Sequence, residues 1–338
     1  TVLGDYADPS KLVFENEYKP TEAKLEGSNA IHGTKTLTGR EMQDGETYYF
    51  QLTAVDDNAK SVLPNAQTVE VTKDNMKDGS AGFTFADMSF TKVGTYTFTV
   101  NEVADENGTE TTNGSGMTYD TNIATVKVVV SDAKDGSLKA EVSYSNDKHG
   151  ETTDQALFTN VYEASMNYGA QGKGGINVTK TMKDRPMTAG EFSFSIDGIN
   201  AEGSVTADEA NQKLVDGDKS FQNVAAGDGV TSSMAKLQNV SFNQNDAGKT
   251  FSYIVDETTE SGAAQVSYDK SQYRVDIQVV DNGDGTMHTV TTVTQIKDAD
   301  GNDANNVVID KANSDADGYT APTFGFINDY NPNSATVG

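Results

Sequence analysis

Three segments of the chain share one pattern: Phe14-x-Asn16-x-Tyr18, Phe158-x-Asn160-x-Tyr162 and Phe326-x-Asn328-x-Tyr330. A β-strand points successive side chains to opposite faces, so in each segment the Phe, Asn and Tyr share a face. The aromatic rings mark that face as core, and the asparagine amide is then buried between them. A buried amide is costly unless something satisfies it. Threefold recurrence makes this a built feature, and it requires β-structure whose core supplies a partner for each amide.

The rest of the chain agrees. Period-2 alternation dominates and helical periodicity is weak, which predicts an all-β protein. Val126-Lys127-Val128-Val129-Val130 and Tyr273-Arg274-Val275-Asp276-Ile277-Gln278-Val279 read as strands, each followed by a hairpin turn at Asp135-Gly136 or Asp284-Gly285. The two halves repeat. Tyr119-Asp120 precedes Asp135-Gly136 by the same separation as Tyr268-Asp269 precedes Asp284-Gly285. Gly45-Glu46 follows Lys35 as Gly190-Glu191 follows Lys180, and Tyr96 to Glu102 matches Phe251 to Glu257.

Two units are therefore expected, over 22–165 and 172–331. The glycine-rich stretch from Gly169 to Gly175 is expected to be a short flexible joint. Residues 1–21 fit neither unit. Lys11 to Tyr18 resemble the last strand of a preceding unit, or a donor strand that completes a neighbouring molecule's sheet. With an abrupt start at Thr1, they suggest a fragment or processed product.

Composition narrows the function. At 338 residues the chain has room for two sizeable cores. With 25 basic and 51 acidic residues the net charge is -26, which argues against nucleic acid and anionic membranes as partners. A well-solvated surface is the plain account of that acidity. No stretch has the ~18 apolar residues of a membrane span, so membrane insertion is not expected. No signal peptide opens the sequence. Cysteine is absent, so disulfides cannot staple the fold.

His32, His149 and His288 lack metal-ligand spacing, and Asp298-x-Asp300-Gly301-x-Asp303 does not have EF-hand spacing and reads as a solvated hairpin tip. Asn107-Gly108-Thr109 and Asn113-Gly114-Ser115 read as turns. No metal or cofactor is expected.

Parity identifies partners for the buried amides. Ile31, Gly33, Lys35 and Leu37 share a face, as do Ile176, Val178, Lys180 and Met182. Tyr96, Phe98, Val100 and Glu102 share another, repeated by Phe251, Tyr253, Val255 and Glu257. Each unit thus aims one lysine, one glutamate and one asparagine inward. For a single set, a buried ion pair with a hydrogen-bonded asparagine is the simpler reading, and such pairs often break even energetically. Recurrence in one order, on first, middle and last strands, favours chemistry.

A desolvated lysine loses its proton readily and becomes a nucleophile. A buried glutamate has a raised pKa and can stay protonated, bonding and polarising the asparagine carbonyl. Amine attack, proton shuttling by the carboxyl and loss of ammonia would leave an amide between the two side chains. Folding supplies the proximity. The event is single-turnover and intramolecular, so the chain is not expected to be an enzyme.

Val178-x-Lys180, Gly94-x-Tyr96-x-Phe98-x-Val100-x-Glu102, Tyr119-Asp120 and the terminal Phe-x-Asn-x-Tyr together resemble the isopeptide-linkage domains of Gram-positive pilins and adhesins. These are the Streptococcus-type pilin linkage repeats with a Cna-B-like fold, and the resemblance covers both units. It implies two tandem Ig-like or Cna-B-like β-sandwich domains, elongated, in an extracellular cell-wall-anchored protein or pilus. It also implies Lys–Asn isopeptide bonds assisted by an acidic residue. By position these are Lys35–Asn160 with Glu102 and Lys180–Asn328 with Glu257.

Asn16 has no lysine of its own unit and is a candidate unpaired or intersubunit cross-link. Neither a sortase sorting signal nor a lysine-bearing pilin motif is evident. The expected role is a stalk or shaft module whose partners are neighbouring domains or head-to-tail subunits. The alternative is an adhesive pair that itself binds a host glycan or matrix protein.

Overall fold

The computed structural model describes residues 15–150 and 152–332. They fall into two compact units. One comprises the described residues up to Thr112 together with Thr118–Val161, the other Asn113–Met117 and the described residues from Tyr162 onward.

The first unit has eight principal strands: β1 (His32–Thr38), β2 (Thr47–Ala54), β3 (Gln67–Thr72), β4 (Ser80–Thr84), β5 (Gly94–Val103), β6 (Ile123–Asp132), β7 (Leu138–Asn146) and β8 (Ala156–Tyr162). The larger sheet is antiparallel and contains β7-β6-β5-β2-β3 in that order. The smaller contains β4-β1-β8, with β1 antiparallel to β4 and parallel to β8. First and last strands are thus direct neighbours.

Alternation decides which residues fill the space between the sheets. Ala124, Val126, Val128 and Val130 of β6 are buried, whereas Ile123 and Val129 face out. On β5, Tyr96, Phe98 and Val100 are buried, and Glu102 follows them on the same face. Phe50 stacks on Phe83 at 4.0 Å between centroids and meets Phe158 at 5.1 Å, so aromatic rings join the two sheets.

The second unit repeats this plan. Its strands are β9 (Ile176–Lys183), β10 (Ser193–Gly198), β11 (Ser220–Gln222), β12 (Thr231–Lys236), β13 (Thr250–Glu257), β14 (Gln272–Asp281), β15 (Met287–Lys297), β16 (Asp303–Asn313) and β17 (Thr323–Tyr330). The larger sheet runs β11-β10-β13-β14-β15-β16 and the smaller contains β12-β9-β17, with β9 again parallel to β17. Phe194 meets both Phe221 and Phe326 at 5.4 Å.

The hairpins form where Asp-Gly predicts them. Gly136 (φ 92°) and Gly285 (φ 86°) take the left-handed backbone that a side chain resists. The Asp135 and Asp284 carboxylates accept from Ser137 and Thr286 N–H, both at 3.0 Å. The acidic segment at Asp298 is likewise a hairpin tip between β15 and β16, where Asp298 accepts from the N–H groups of Asp300 and Asn302.

Two expectations need revision. The glycine-rich stretch is a hydrogen-bonded turn: Ala170–Gly172 is 3₁₀-helical, Gly169 N–H donates to the Lys173 carbonyl at 2.6 Å, and the Tyr168 hydroxyl donates to the Gly175 carbonyl at 3.3 Å. Glycine there serves positive-φ turn geometry. At the N-terminus, Phe14 and the residues before it lie outside the described residues. The described part of that motif is not a strand. Asn16 is exposed, and Tyr18 is 60 % exposed, its hydroxyl 3.2 Å from Asp132 Oδ1.

Close approach of first and last strands has a sequence cause. A Cβ on Gly33 would lie 2.6 Å from the Ala156 carbonyl oxygen and strike the Phe83 ring, so only hydrogen fits between β1 and β8. Gly33→Ala is therefore expected to destabilise the first unit by about 1–3 kcal/mol. A lower urea midpoint with unchanged slope is the expected readout; an unchanged midpoint would show that the strands have room to part.

Candidate functional site

The parallel pairing of β1 with β8 aligns Lys35 with Phe158 and Leu37 with Asn160. Lys35 and Asn160 therefore sit on adjacent strands, on the inward face, two residues out of register. Glu102 faces them from β5 in the opposing sheet. The second unit aligns Lys180 with Phe326 and Met182 with Asn328, with Glu257 on β13. The six residues named from parity are thus brought together as two sets of three, and Asn16 joins neither.

In each set the glutamate bridges two nitrogens. Lys35 Nζ donates to Glu102 Oε2 at 2.8 Å and Asn160 Nδ2 donates to Glu102 Oε1 at 2.7 Å. In the second unit Lys180 Nζ donates to Glu257 Oε2 at 2.7 Å and Asn328 Nδ2 to Glu257 Oε1 at 2.8 Å. Lys35, Asn160, Lys180 and Asn328 have no exposed surface at all. A ring covers each ammonium: Tyr48 lies 4.5 Å from Lys35 Nζ and Phe192 lies 4.4 Å from Lys180 Nζ.

Burial governs the electrostatics. Loss of water pushes the Lys35 ammonium down to about 8, against the opposing pull of Glu102. The Lys180 ammonium is lowered for the same reason. Burial raises both Glu102 and Glu257, with the lysine and asparagine contacts acting the other way. The proton between lysine and glutamate is therefore held less firmly by nitrogen than it would be in water.

One detail departs from the sequence-based expectation. Glutamate was expected on the asparagine carbonyl, but the carboxylate meets the amide nitrogen. The carbonyl oxygen instead accepts a backbone N–H: Asp120 N–H to Asn160 Oδ1 at 2.8 Å, and Asp269 N–H to Asn328 Oδ1 at 2.8 Å. A backbone N–H can only donate, so the atom facing it must be oxygen, and this fixes the orientation of the amide.

Asp120 and Asp269 were visible in sequence only as a repeated Tyr-Asp without an assigned role. His149 has no metal-ligand spacing in the sequence, yet its Nε2 lies 2.6 Å from Asp120 Oδ2. Only folding places residues 29 positions apart in contact, and no spacing rule signals it. Among the described residues, no group of three or more His, Cys, Asp or Glu could hold a metal, and no helix is long and apolar enough to cross a membrane.

Residues 31–163 and 176–330 each match the family model for FctA, the Spy0128-like isopeptide-containing domain. The chain belongs to the FctA family. Each match encloses one Lys–Glu–Asn set. Among solved structures the chain is similar to the major pilin from Streptococcus pyogenes, at 15% identity over 91% of this chain and 98% of that one, with a TM-score of 0.31. It is also similar to the T-13 major pilin from the same organism, at 13% identity over 92% and 100%, with a TM-score of 0.28. Both likenesses are too remote to inform the site. No curated protein matches the chain.

The Lys35 shift has a measurable consequence. An Asn160→Ala protein leaves the Lys35–Glu102 pair in place, with Lys35 titratable. Its folded pKa of about 8 lies below the ordinary 10.5, so between these values the unfolded chain binds the extra proton. Stability contributed through Lys35 should therefore rise from pH 8 to pH 10.5 and level off above. Melting curves should show that rise relative to Asn160→Ala/Lys35→Met; parallel profiles for the two proteins would contradict the shift.

Proposed function

We propose that this FctA chain is a stalk or shaft module of a Gram-positive cell-surface pilus or adhesin. Each of its domains is tied from first strand to last by a self-made isopeptide bond, Lys35–Asn160 in one and Lys180–Asn328 in the other. The observation that carries the proposal is the twofold Lys–Glu–Asn set, buried and hydrogen-bonded alike in both units.

The chemistry follows from the contacts. Lys35 Nζ passes a proton to Glu102 Oε2, and the neutral amine adds to Asn160 Cγ. The carbonyl electron pair moves onto Oδ1. Glu102 then protonates Nδ2, the Oδ1 electron pair re-forms the carbonyl as the Cγ–Nδ2 bond breaks, and ammonia leaves. The remaining excess proton on the former lysine nitrogen returns to the carboxylate. Lysine and amide become a secondary amide plus ammonia, with glutamate restored to its protonated form. Proximity and desolvation together supply the acceleration. Lys180, Glu257 and Asn328 act in the same way.

Topology makes the bond mechanically useful. The chain enters each domain along the first strand and leaves along the last, and these run parallel side by side. Tension on the two ends shears that pair. A covalent link between them carries the load directly and leaves the intervening strands unstressed. The linked residues are 125 and 148 positions apart. By analogy with disulfide loop entropy each bond contributes about 5 kcal/mol. None of the described surface features commits to a host ligand, so adhesion by these domains themselves is not proposed.

Intact mass should fall short of the sequence mass by two ammonia molecules; a mass equal to the sequence sum would overturn the proposal. Glu102→Ala should lose only one, because the second domain keeps its set. Its first domain should melt roughly 10–20 °C lower. A complete first bond in that variant would remove glutamate from the mechanism.

A further inference from the structure

The asparagine carbonyl receives its hydrogen bond from a loop residue that is itself held in an unusual way. Asp120 Oδ1 accepts from Asn122 N–H at 2.8 Å, which closes its own turn. Asp120 Oδ2 accepts from Thr159 N–H at 2.6 Å, tying the loop to β8 at the residue before Asn160. These two bonds pin the backbone of residue 120 so that its N–H meets Asn160 Oδ1.

The second domain builds the same clasp from different neighbours. Asp269 Oδ1 accepts from Ser271 N–H at 2.9 Å, Asp269 Oδ2 accepts from Ile327 N–H at 2.8 Å, and Asp269 N–H donates to Asn328 Oδ1. The offsets agree in both domains: two residues ahead in the turn, and one residue before the asparagine. The flanking side chains differ, Asn122 against Ser271 and Thr159 against Ile327. What is preserved is the aspartate and the placement of its N–H.

We propose that Asp120 and Asp269 are positioning residues for isopeptide formation, each holding its own backbone N–H as an oxyanion donor on the asparagine carbonyl. The proposal rests on the reading of the Lys–Glu–Asn sets as isopeptide sites. When the lysine amine adds to Cγ, negative charge gathers on Oδ1, the atom this N–H already faces. A fixed donor in a water-free site stabilises such charge without reorganising, and removal of one oxyanion donor elsewhere costs about 10²–10³ in rate. The clasp has a second effect. With Oδ1 held on the N–H, Nδ2 must point to the glutamate, so the leaving nitrogen faces the group that protonates it. The amide cannot turn over without placing an NH₂ against an N–H donor.

The donor belongs to the backbone, so side-chain substitutions act by loosening the clasp. Full-length chain recovered unreacted in denaturant would be refolded by dilution and quenched in acid at intervals. Intact mass and peptide mapping would then follow each bond separately. In Asp120→Ala the second bond should form at the wild-type rate, while the first slows by about 10–100-fold. Asp120→Asn keeps one acceptor oxygen and should fall between Asp120→Ala and wild type.

A purely structural aspartate would move stability but not carbonyl polarisation. The Asn160 Cγ carbon-13 shift, read in the unreactive Lys35→Ala background, should therefore move upfield on adding Asp120→Asn. An unchanged first-bond rate, or an unchanged Cγ shift, would overturn the positioning role. If Asp120→Ala fails to fold, Asp120→Asn and the Cγ shift decide the question. Wild-type chain that loses no ammonia would instead overturn the isopeptide reading.

Discussion

The removal of a lysine ammonium from water is the constraint around which each domain is arranged. An isolated buried charge is prohibitively costly, and a buried ion pair repays that cost only with good geometry and its remaining hydrogen-bonding groups satisfied. Lys35 and Lys180 each have a carboxylate, an aromatic ring over the nitrogen and no exposed surface. Every group in contact with them has a position that serves this arrangement. The glutamate comes from the opposite sheet, the asparagine from the adjacent parallel strand, and the asparagine's remaining acceptor is taken by a loop N–H. A conventional core would place apolar residues at all three positions and be no less stable. Retaining the polar set in two domains makes sense if it is spent in a reaction.

The fold and the buried Lys–Glu–Asn sets were legible from the chain because both are written in period-2 alternation. Lys35 shares parity with Ile31, Gly33 and Leu37, and Glu102 shares parity with Tyr96, Phe98 and Val100, so their inward aim follows from strand geometry alone. Three other features lay beyond that logic. The N–H of Asp120 contributes through its backbone, where side-chain identity is silent, and the repeated Tyr-Asp could mark the place but not the function. The contact between His149 and Asp120 depends on loop conformation, which periodicity does not encode. The turn at Gly169 to Gly175 and a flexible linker have the same composition; they differ only in hydrogen bonds such as Gly169 to Lys173.

Comparison of the two domains separates what the site needs from what the fold tolerates. The ring over the lysine is tyrosine in one and phenylalanine in the other, so an apolar, polarisable cover suffices and the hydroxyl is dispensable. An arginine–glutamate pair follows the first strand in both, Arg40 with Glu46 and Arg185 with Glu191, bracing the connection beside the buried lysine. The outer edges diverge instead: the second domain adds the long edge strand β16, where Val307, Val308 and Ile309 are exposed. Variation is therefore concentrated away from the first and last strands.

The order of events in folding would give the proposed cross-link its particular value. Pairing of the first strand with the last closes almost the whole domain, and contacts of such sequence separation form late because loop entropy must be overcome before they are rewarded. Lysine and asparagine cannot meet until that pairing, the opposing sheet and the aspartate loop are all in place. The proposed reaction would therefore report a finished fold and would not trap an unfinished one. Once made, the bond would tie together the contact whose loss would begin unfolding from the ends. A stabilisation absent from the folding transition state slows unfolding and leaves folding unchanged. For a chain without cysteine, that would be a lock whose persistence does not depend on the redox state of its surroundings.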